Sequence, residues 1–240
     1  VSWWRMDDIS GTTVIDYMDK HNGSVTNDAA QTDSGKFGKG FSFDGSGDKI
    51  GLGDPSELEM LEDFSISAWV KHTDVANPQT QYIYDDGSNK YSLWSGTYVD
   101  NRVVIRDSGG TQIPDDCQLP TEAGLTMVND RWYHVVVTAE NDTGITWYID
   151  GVLNHTESCT WDYTQDGGDT SIGGSLNGTL DEVMVFNRTL NASEVVALYN
   201  ATASQHTETG LADGSHTYKA YTQDLAANVV VSDTSEFSVD

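Results

Sequence analysis

Short runs in which apolar and polar residues alternate, separated by Gly, Asp and Asn, make up most of the chain up to about residue 190. In the run Phe64–Val70 every even-numbered residue is apolar, whereas the odd-numbered residues are two serines and a tryptophan. This period of two predicts a half-buried strand. The run Trp132–Thr138 is more continuously apolar and predicts a strand covered on both faces. Together these runs favour an all-β antiparallel sandwich or barrel over a helical fold.

The clearest turn signal is the pair Asp150-Gly151, which stands between the apolar runs Ile145–Ile149 and Val152–Leu153. Both central residues of a tight hairpin turn adopt positive φ, a conformation that Asp-Gly tolerates well. The sequence therefore predicts a hairpin that turns at residues 150 and 151.

One short helix is predicted near residues 192–199. Asn191 is placed to accept the first hydrogen bonds as the N-cap, and Glu194, three residues later, can return the capping hydrogen bond. Leu190 and Val195 flank this box at the spacing of a hydrophobic staple.

The chain is long enough for one large sandwich with a small appendage. Residues 1–200 form the expected main domain, and residues 201–240 hold a small, polar linker followed by three short β-type runs at 216–222, 228–231 and 236–239. Three short strands cannot close a sandwich, so we expect this tail to need something to pack on.

The charge balance excludes two classes of partner. The chain carries 38 acidic and 12 basic residues, a formal net charge of -26, and nothing in it would neutralise the phosphates of a nucleic acid or of an anionic membrane. No apolar run approaches the roughly 18 residues that a membrane span needs. We therefore expect neither a nucleic-acid partner nor a membrane span.

Several features point to an extracellular or cell-surface glycoprotein. The sequence opens at Val1 without an initiator Met or a signal-type segment, as expected of a piece processed from a longer precursor. Asn-X-Ser/Thr triplets are unusually dense, although turn residues can also meet by chance. The triplets begin at Asn22, Asn141, Asn154, Asn177, Asn187, Asn191 and Asn200.

The two cysteines, Cys117 and Cys159, leave two alternatives open. They can pair in a disulfide, which would stabilise the fold by about 4 kcal/mol on loop entropy, or remain two buried thiols.

Five motifs, in this order, resemble successive motifs of the laminin-G-like (concanavalin-A-like) jelly-roll superfamily. They are 36–45 (KFGKGFSFDG), 64–71 (FSISAWVK), 132–138 (WYHVVVT), 147–152 (WYIDGV) and 178–190 (GTLDEVMVFNRTL). The resemblance covers residues 1 to about 200 and implies two curved antiparallel sheets. The tail segments 211–218 (LADGSHTY) and 224–228 (DLAAN) are similar to the later strands of bacterial and archaeal immunoglobulin-like surface domains, whose earlier strands are missing here.

The resemblance also implies a cofactor. In this superfamily a structural calcium ion often ties the first strand to the last, and the matching positions are Asp7, the backbone carbonyl near Gly40, and Asp181, with Glu182 alongside. Calcium prefers such hard oxygen ligands. The alternative is that Asp7 and Asp181 are solvated edge carboxylates.

Catalysis is not expected. The segment 57–62 (ELEMLE) resembles the two-glutamate motif of laminarinase-type glycoside hydrolases, which need two carboxylates about 5 to 5.5 Å apart. However, Glu59 stands where that family has a central Asp, and the segment precedes a strand rather than lying on it. No histidine pair has metal-ligand spacing and no Ser/His/Asp arrangement is visible, so His134 is predicted to be a strand residue with a satisfied ring.

A sugar-binding rim is the remaining candidate site. The loop-rich stretch after residue 81 holds aromatic, amide and carboxylate side chains of the kind that bind pyranose rings, although each aromatic is also a candidate for the core. The candidates are Tyr84, Asp85, Asn89, Trp94 and Tyr98.

Two functional hypotheses remain. The first is an extracellular, non-catalytic module that serves adhesion by binding a glycan or a cell-surface protein, with a structural calcium ion. The second is a self-assembling subunit of a surface filament, sheath or stalk, in which a neighbouring copy completes the tail by strand donation.

Overall fold

The chain divides into two compact units, Val1–Ala203 and Ser204–Asp240. The computed structural model describes residues 2–58, 63–76, 81–85, 91–95, 102–105, 127–160, 168–203, 211–218, 221–223, 229–231 and 234–239.

The described part of the first unit contains sixteen strands and one helix. In chain order they are β1 Ser2–Trp4, β2 Ile9–Ser10, β3 Thr13–Val14, β4 Gly23–Thr26, β5 Ala30–Thr32, β6 Gly40–Asp44, β7 Lys49–Gly53, β8 Phe64–His72, β9 Gln81–Asp85, β10 Tyr91–Ser95, β11 Arg102–Ile105, β12 Trp132–Glu140, β13 Gly144–Ile149, β14 Val152–Glu157, β15 Thr170–Gly173, β16 Asn177–Phe186 and α1 Ala192–Ala203. The second unit contributes β17 Gly214–Tyr218, β18 Tyr221–Gln223, β19 Val229–Val231 and β20 Ser235–Val239.

Two antiparallel sheets form the first unit. Sheet A has the strand order β14-β13-β12-β8-β16-β6-β5, with β1 also paired to β16, and sheet B has the order β11-β10-β9-β15-β7-β4-β3-β2. The main core includes Trp4, Phe41, Ile50, Ile83 and Trp147, all fully buried. The structure thus confirms the all-β, two-sheet jelly-roll sandwich with one short helix.

The first strand lies beside the last strand of the sandwich. In the β1 to β16 pairing Ser2 faces Val185 and Trp4 faces Val183. The two ends of this fold are therefore joined by backbone hydrogen bonds, as the laminin-G-like resemblance implies.

The predicted hairpin is confirmed. Strands β13 and β14 pair up to Ile149 and Val152, and the two turn residues, Asp150 and Gly151, have φ values of 49° and 76°. Positive φ at both positions is the conformation for which Asp-Gly is suited.

The predicted helix cap is confirmed as well. The Asn191 Oδ1 accepts a hydrogen bond from the Glu194 N–H at 3.0 Å, and the Glu194 Oε2 accepts one from the Asn191 N–H at 2.9 Å. Leu190 and Val195 pack together in a second apolar cluster. Helix α1 continues to Ala203, one turn beyond the predicted end at residue 199.

The prediction that Phe64–Val70 is only half-buried was wrong, because both faces of β8 are buried. Helix α1 and the loop before it cover the outer face. Trp69 stacks on Tyr199 of the helix with ring centroids 5.8 Å apart, and the Ser65 hydroxyl accepts a hydrogen bond from the Leu190 N–H at 2.9 Å. The prediction that β12 is covered on both faces is confirmed.

His134 on β12 also departs from expectation. Its Nε2 lies 2.9 Å from the Ser67 hydroxyl, but its Nδ1 is buried without a hydrogen-bond partner. The ring is therefore only half satisfied.

The second unit forms two small ladders in its described residues. Strand β17 pairs with β20, and β18 pairs with β19. Most side chains of β17 and β20 are exposed, including Tyr218 and Phe237. The immunoglobulin-like character of this unit stays a prediction. No helix in the described ranges is long and apolar enough to cross a membrane.

Candidate functional site at the junction of the first and last strands

A β-bulge in β16 places two acidic residues side by side. Leu180 and Val183 both belong to the core, whereas a regular strand would send residues three positions apart to opposite faces. Instead the pairing with β8 shifts register between Asp181 and Met184, and Glu182 has a φ of 51°. The extra residue accounts for two consecutive acids, Asp181 and Glu182, between two core positions.

Asp181 is completely buried beneath the loop that precedes β6. Its Oδ2 accepts a hydrogen bond from the Phe37 N–H at 2.8 Å, and its Oδ1 accepts one from the Glu182 N–H at 2.8 Å. Burial, together with the neighbouring Glu182 charge, raises the pKa of Asp181 to about 8, although the backbone hydrogen bonds oppose this shift.

Asp7 approaches the same loop. Its Oδ1 accepts a hydrogen bond from the Lys39 N–H at 2.8 Å, and its Oδ2 accepts one from Arg5 at 3.1 Å. Gly38, with a φ of 53°, lies between the two contacts, and a Cβ atom there would stand 2.5 Å from the Asp7 Oδ1. Asp7 and Asp181 thus bind backbone groups that are only two residues apart in sequence.

Gly40, the third predicted calcium position, begins β6 directly after this loop. A Cβ atom at Gly40 would lie 3.0 Å from the carbonyl oxygen of Leu180, the residue before Asp181. The structure therefore brings all three predicted positions to the junction between β1, β6 and β16.

Sequence reasoning placed Glu182 beside the site without assigning it a role. Its Oε2 accepts a hydrogen bond from the Trp3 indole N–H at 2.6 Å. Burial raises the pKa of Glu182 to about 7; the Trp3 hydrogen bond and the Arg5 charge oppose this shift, and the Asp7 charge adds to it. The signal in the sequence is an Asp-Glu pair that interrupts the alternation of an otherwise apolar strand. We call Asp7, Asp181 and Glu182 the carboxylate cluster.

An aromatic pair, half-buried Trp3 and exposed Tyr17, borders the carboxylate cluster. The rings of Trp3 and Tyr17 meet edge to face at 4.9 Å, and the Arg5 guanidinium lies over both, 5.8 Å and 5.4 Å from their centroids. Tyr17 is 58% exposed. We call Trp3, Arg5 and Tyr17 the aromatic platform.

Asp16 holds the turn that presents Tyr17. This carboxylate is buried and accepts hydrogen bonds from the N–H groups of Trp3, Met18, Lys20 and His21 at 2.8 to 3.3 Å. Burial by itself would raise the pKa of Asp16, but these hydrogen bonds outweigh it and lower the pKa. The platform is therefore built on a turn whose buried charge is well compensated.

The carboxylate cluster suits a hard divalent cation. Its donors are all oxygens, and Arg5 is the basic group that touches it. In the described ranges no group of three or more His, Cys, Asp or Glu side chains is arranged so that it could hold a metal ion by itself. A metal ion here would thus depend on backbone oxygen, such as the Gly40 carbonyl, in addition to side chains.

The predicted sugar-binding rim is only partly described. Tyr84 is completely buried in the main core, so its ring is not part of a rim that faces solvent. Asp85 is half-buried at the end of β9. Asn89 and Tyr98 lie outside the described residues. Trp94 pairs with Tyr82 in the β9 to β10 register, and its side chain lies outside the described part.

The predicted disulfide is likewise only partly described. Cys159 is buried and is not a free thiol. Cys117 lies outside the described residues, so the pairing of the two cysteines stays a prediction.

The glycosylation positions are all described, and their modification stays a prediction. Two are half-buried, Asn141 and Asn177, and the remaining five are exposed, namely Asn22, Asn154, Asn187, Asn191 and Asn200. Asn191 is the least suited to carry a sugar, because its side-chain oxygen caps helix α1.

The structure brings together one arrangement that resembles a hydrolytic triad. The Ser2 hydroxyl lies 2.7 Å from the His21 Nδ1, and the His21 Nε2 lies 3.7 Å from the Glu57 Oε2. Ser2 is completely buried, so no substrate reaches its hydroxyl. In the two-glutamate segment Glu57 is exposed, and Glu59 and Glu62 lie outside the described residues.

A human protein is similar in sequence to part of this chain. Human pentraxin-related protein PTX3 is 28% identical over 149 residues, which is 59% of this chain and 37% of that protein. The chain thus spans little more than a third of the length of this relative.

Solved structures share the fold. The binding domain of Paraclostridial Mosquitocidal Protein 1 has a TM-score of 0.65 at 16% identity, over 96% of this chain and 62% of that one. Domain 4 of the extracellular arabinanase AbnA from Geobacillus stearothermophilus, solved in complex with arabinotriose, has a TM-score of 0.60 at 17% identity, over 82% of this chain and 97% of that one.

Residues 44–196 match the family Laminin_G_3, described as the concanavalin A-like lectin/glucanases superfamily. This range spans more than half of the chain and includes both strands of the central β8 to β16 pair. The chain therefore belongs to the Laminin_G_3 family of concanavalin A-like lectins and glucanases.

Proposed function

We propose that this chain is an extracellular, non-catalytic module that binds glycans and whose first and last strands are tied together by a calcium ion. The observation that carries the proposal is the convergence of Asp7 and Asp181 on one loop beside the exposed aromatic platform.

Glycan binding follows from the chemistry of the platform. Tyr17 offers an exposed ring on which a pyranose can stack, and Arg5 and Asp7 offer a donor and an acceptor for sugar hydroxyls. The arabinotriose complex of a domain with the same fold supports a sugar ligand for this architecture.

Binding to an array of neutral and acidic oligosaccharides tests this function. Wild-type protein with calcium should bind at least one sugar, and Tyr17→Ala should weaken that binding at least tenfold, about 1.4 kcal/mol. Tyr218→Ala is the matched control, because Tyr218 in the second unit is 56% exposed against 58% for Tyr17. If the calcium-loaded protein binds none of the sugars, the proposal is wrong.

Calcium would neutralise the carboxylate cluster and hold β1 against β6 and β16. Asp7, Asp181 and the Gly40 carbonyl are the proposed ligands, with Glu182 close by. The main support for a calcium ion is that Asp181 is buried and forms no salt bridge among the described residues. An ion that binds only the folded protein stabilises it by mass action.

Thermal unfolding with and without calcium tests the ion. At free calcium 100 times the Kd we expect about 2.7 kcal/mol of stabilisation, roughly 5 to 10 °C in Tm for a domain of this size. Asp181→Asn should abolish this shift, whereas Asp28→Asn, at an exposed aspartate, should retain it. An unchanged Tm in wild-type protein would remove calcium from the proposal.

A separate observation supports a second function, assembly through the tail. The described strands of the second unit form only two-stranded ladders, with Tyr218 and Phe237 exposed, and such small sheets are marginal alone. Strand donation from a neighbouring copy would complete them. Sedimentation of the full chain and of residues 1–203 tests this: assembly lost on truncation supports it, and two monomers contradict it.

A further inference from the structure

Two lysines, Lys36 in the loop before β6 and Lys71 on β8, lie over tryptophan rings of sheet A. The Lys36 Nζ stands 4.3 Å from the centroid of the Trp69 ring, and the Lys71 Nζ stands 5.0 Å from that of Trp132. A cation over an aromatic face keeps its N–H groups available to a second partner.

Neither ammonium has an acidic partner among the residues that the structure describes. Four basic side chains in the described ranges pair with carboxylates, namely Arg5, Lys39, Arg131 and Arg188. Within the same ranges, Lys36 and Lys71 form no ion pair, although acidic residues outnumber basic residues 38 to 12. The two ammonium groups of Lys36 and Lys71 are therefore available to an external anion.

The strand register and the contact of Lys36 with Trp69 put the two lysines on the same side of sheet A. Trp69 and Lys71 are two residues apart on β8, so their side chains emerge from the same face about 6.7 Å apart. Lys71 faces Trp132 on β12 and Thr179 on β16, and Thr179 faces Ser42 on β6. Trp132 and Lys71 are both partly exposed. We call Lys36, Lys71 and Trp132 the basic patch.

These groups fit a sugar that carries one negative charge. The Trp132 ring provides a stacking surface, Ser42 adds a half-buried hydroxyl along the same row, and either ammonium group can pair with a carboxylate or a sulfate. A polyanionic chain is disfavoured, because the net charge of -26 repels it, whereas a single charge held at the patch is screened from distant acids beyond about 8 Å.

We infer that the basic patch is a binding site for an acidic sugar, one that bears a single carboxylate or sulfate group. This inference rests on the proposed glycan-binding function and names the class of glycan.

Titration with 3′-sialyllactose, 3′-sulfolactose and lactose tests the inference and distinguishes the two acidic groups. At least one acidic sugar should bind at least tenfold more tightly than lactose, and raising the salt concentration should weaken that binding. The double variant Lys36→Gln/Lys71→Gln should remove the preference. Lys71→Arg, which keeps the charge, should retain most of it.

Lys49→Gln is the matched control. Lys49 is also half-buried and without an ion pair in the described ranges, but it lies on β7 in sheet B. It should bind acidic sugars like the wild type, and the Tm of each variant verifies its folding. Equal binding of all three sugars, unaffected by the double variant, would overturn the inference and leave glycan binding intact. Failure to bind any sugar, here and on the array, would overturn both.

Discussion

Asp16 and Asp181 are both buried carboxylates that accept hydrogen bonds from backbone N–H groups of a nearby loop, yet their pKa values shift in opposite directions. Four N–H groups surround Asp16, and they outweigh the cost of its burial. Asp181 accepts fewer hydrogen bonds and has Glu182 as its neighbour. The comparison teaches that burial alone does not mark a cation site. The feature that would suit a cation is a buried carboxyl group whose ionisation is opposed by burial and only partly offset by hydrogen bonds.

The largest expected effect is the loss of the Asp16 charge. Asp16→Asn replaces one acceptor oxygen by an N–H₂ group and leaves buried N–H donors without partners. We expect a loss of about 4 kcal/mol in the free energy of unfolding, in the range for breaking a buried charged network. Urea unfolding measures it, with the exposed Asp28→Asn as the control. A loss below about 1 kcal/mol would contradict the role of Asp16.

The stability contributions of Asp16 and of the buried His72 are lost over different pH ranges. Burial lowers the pKa of His72 to about 4, below the ordinary value of 6.5, despite its hydrogen bond to Gln81. The unfolded state therefore binds more protons at this ring between pH 6.5 and 4, and the contribution of His72 to stability falls by up to about 3 kcal/mol as the pH drops through this window. The raised pKa values of Asp181 and Glu182 act in the opposite direction over the same range, so the effect of His72 is the difference between wild type and a His72 variant. The stability from Asp16, whose pKa is lowered, is lost only as the pH falls below its ordinary value of 3.8.

Urea unfolding of wild type and His72→Gln at pH 7, 5 and 4 measures how the free energy of unfolding depends on this histidine. Between pH 6.5 and 4, His72→Gln should lose about 3 kcal/mol less stability than wild type, whereas the contribution of His134, whose pKa burial also lowers to about 4, remains in both proteins. An unchanged pH profile in His72→Gln would show that this histidine does not set the acid stability.

Asp181→Asn should behave in the opposite way to Asp16→Asn. Without calcium we expect it to change the free energy of unfolding by less than about 1 kcal/mol, or to increase it, because it removes a carboxyl group whose ionisation is opposed by burial. With calcium at 100 times the Kd, the variant should fall about 2.7 kcal/mol below wild type. A large loss in the free energy of unfolding without calcium would show that the protein stabilises the Asp181 carboxylate as it does that of Asp16.

The smallest expected effect comes from the loop that covers Asp181. Gly38→Ala should cost about 1 to 2 kcal/mol, since alanine disfavours a φ of 53° and its Cβ would crowd the Asp7 carboxylate. Gly11→Ala, at a φ of 64° with open space around the Cβ position, separates the backbone effect from the contact with Asp7. Equal losses in both variants would mean that the contact contributes nothing.

Much of the fold could be predicted because its signals are local. The Asp150-Gly151 turn and the Asn191 cap depend on residues within a few positions of each other, and both have the predicted geometry. The candidate site was reached differently, through a family resemblance that pointed to Asp7, Gly40 and Asp181. The half-buried prediction for Phe64–Val70 failed because the sequence does not show that helix α1 returns to cover that strand.

The sequence by itself determined the all-β sandwich, the tight hairpin, the capped helix and the strong excess of acidic over basic residues. Tertiary structure decided how distant segments meet: the bulge that sets Glu182 beside Asp181, the turn that places Tyr17 against Trp3, and the loop that carries Lys36 over Trp69. The physical reason is one of range. Turn and cap preferences arise between neighbouring residues, whereas a site depends on the register between strands that are more than a hundred residues apart.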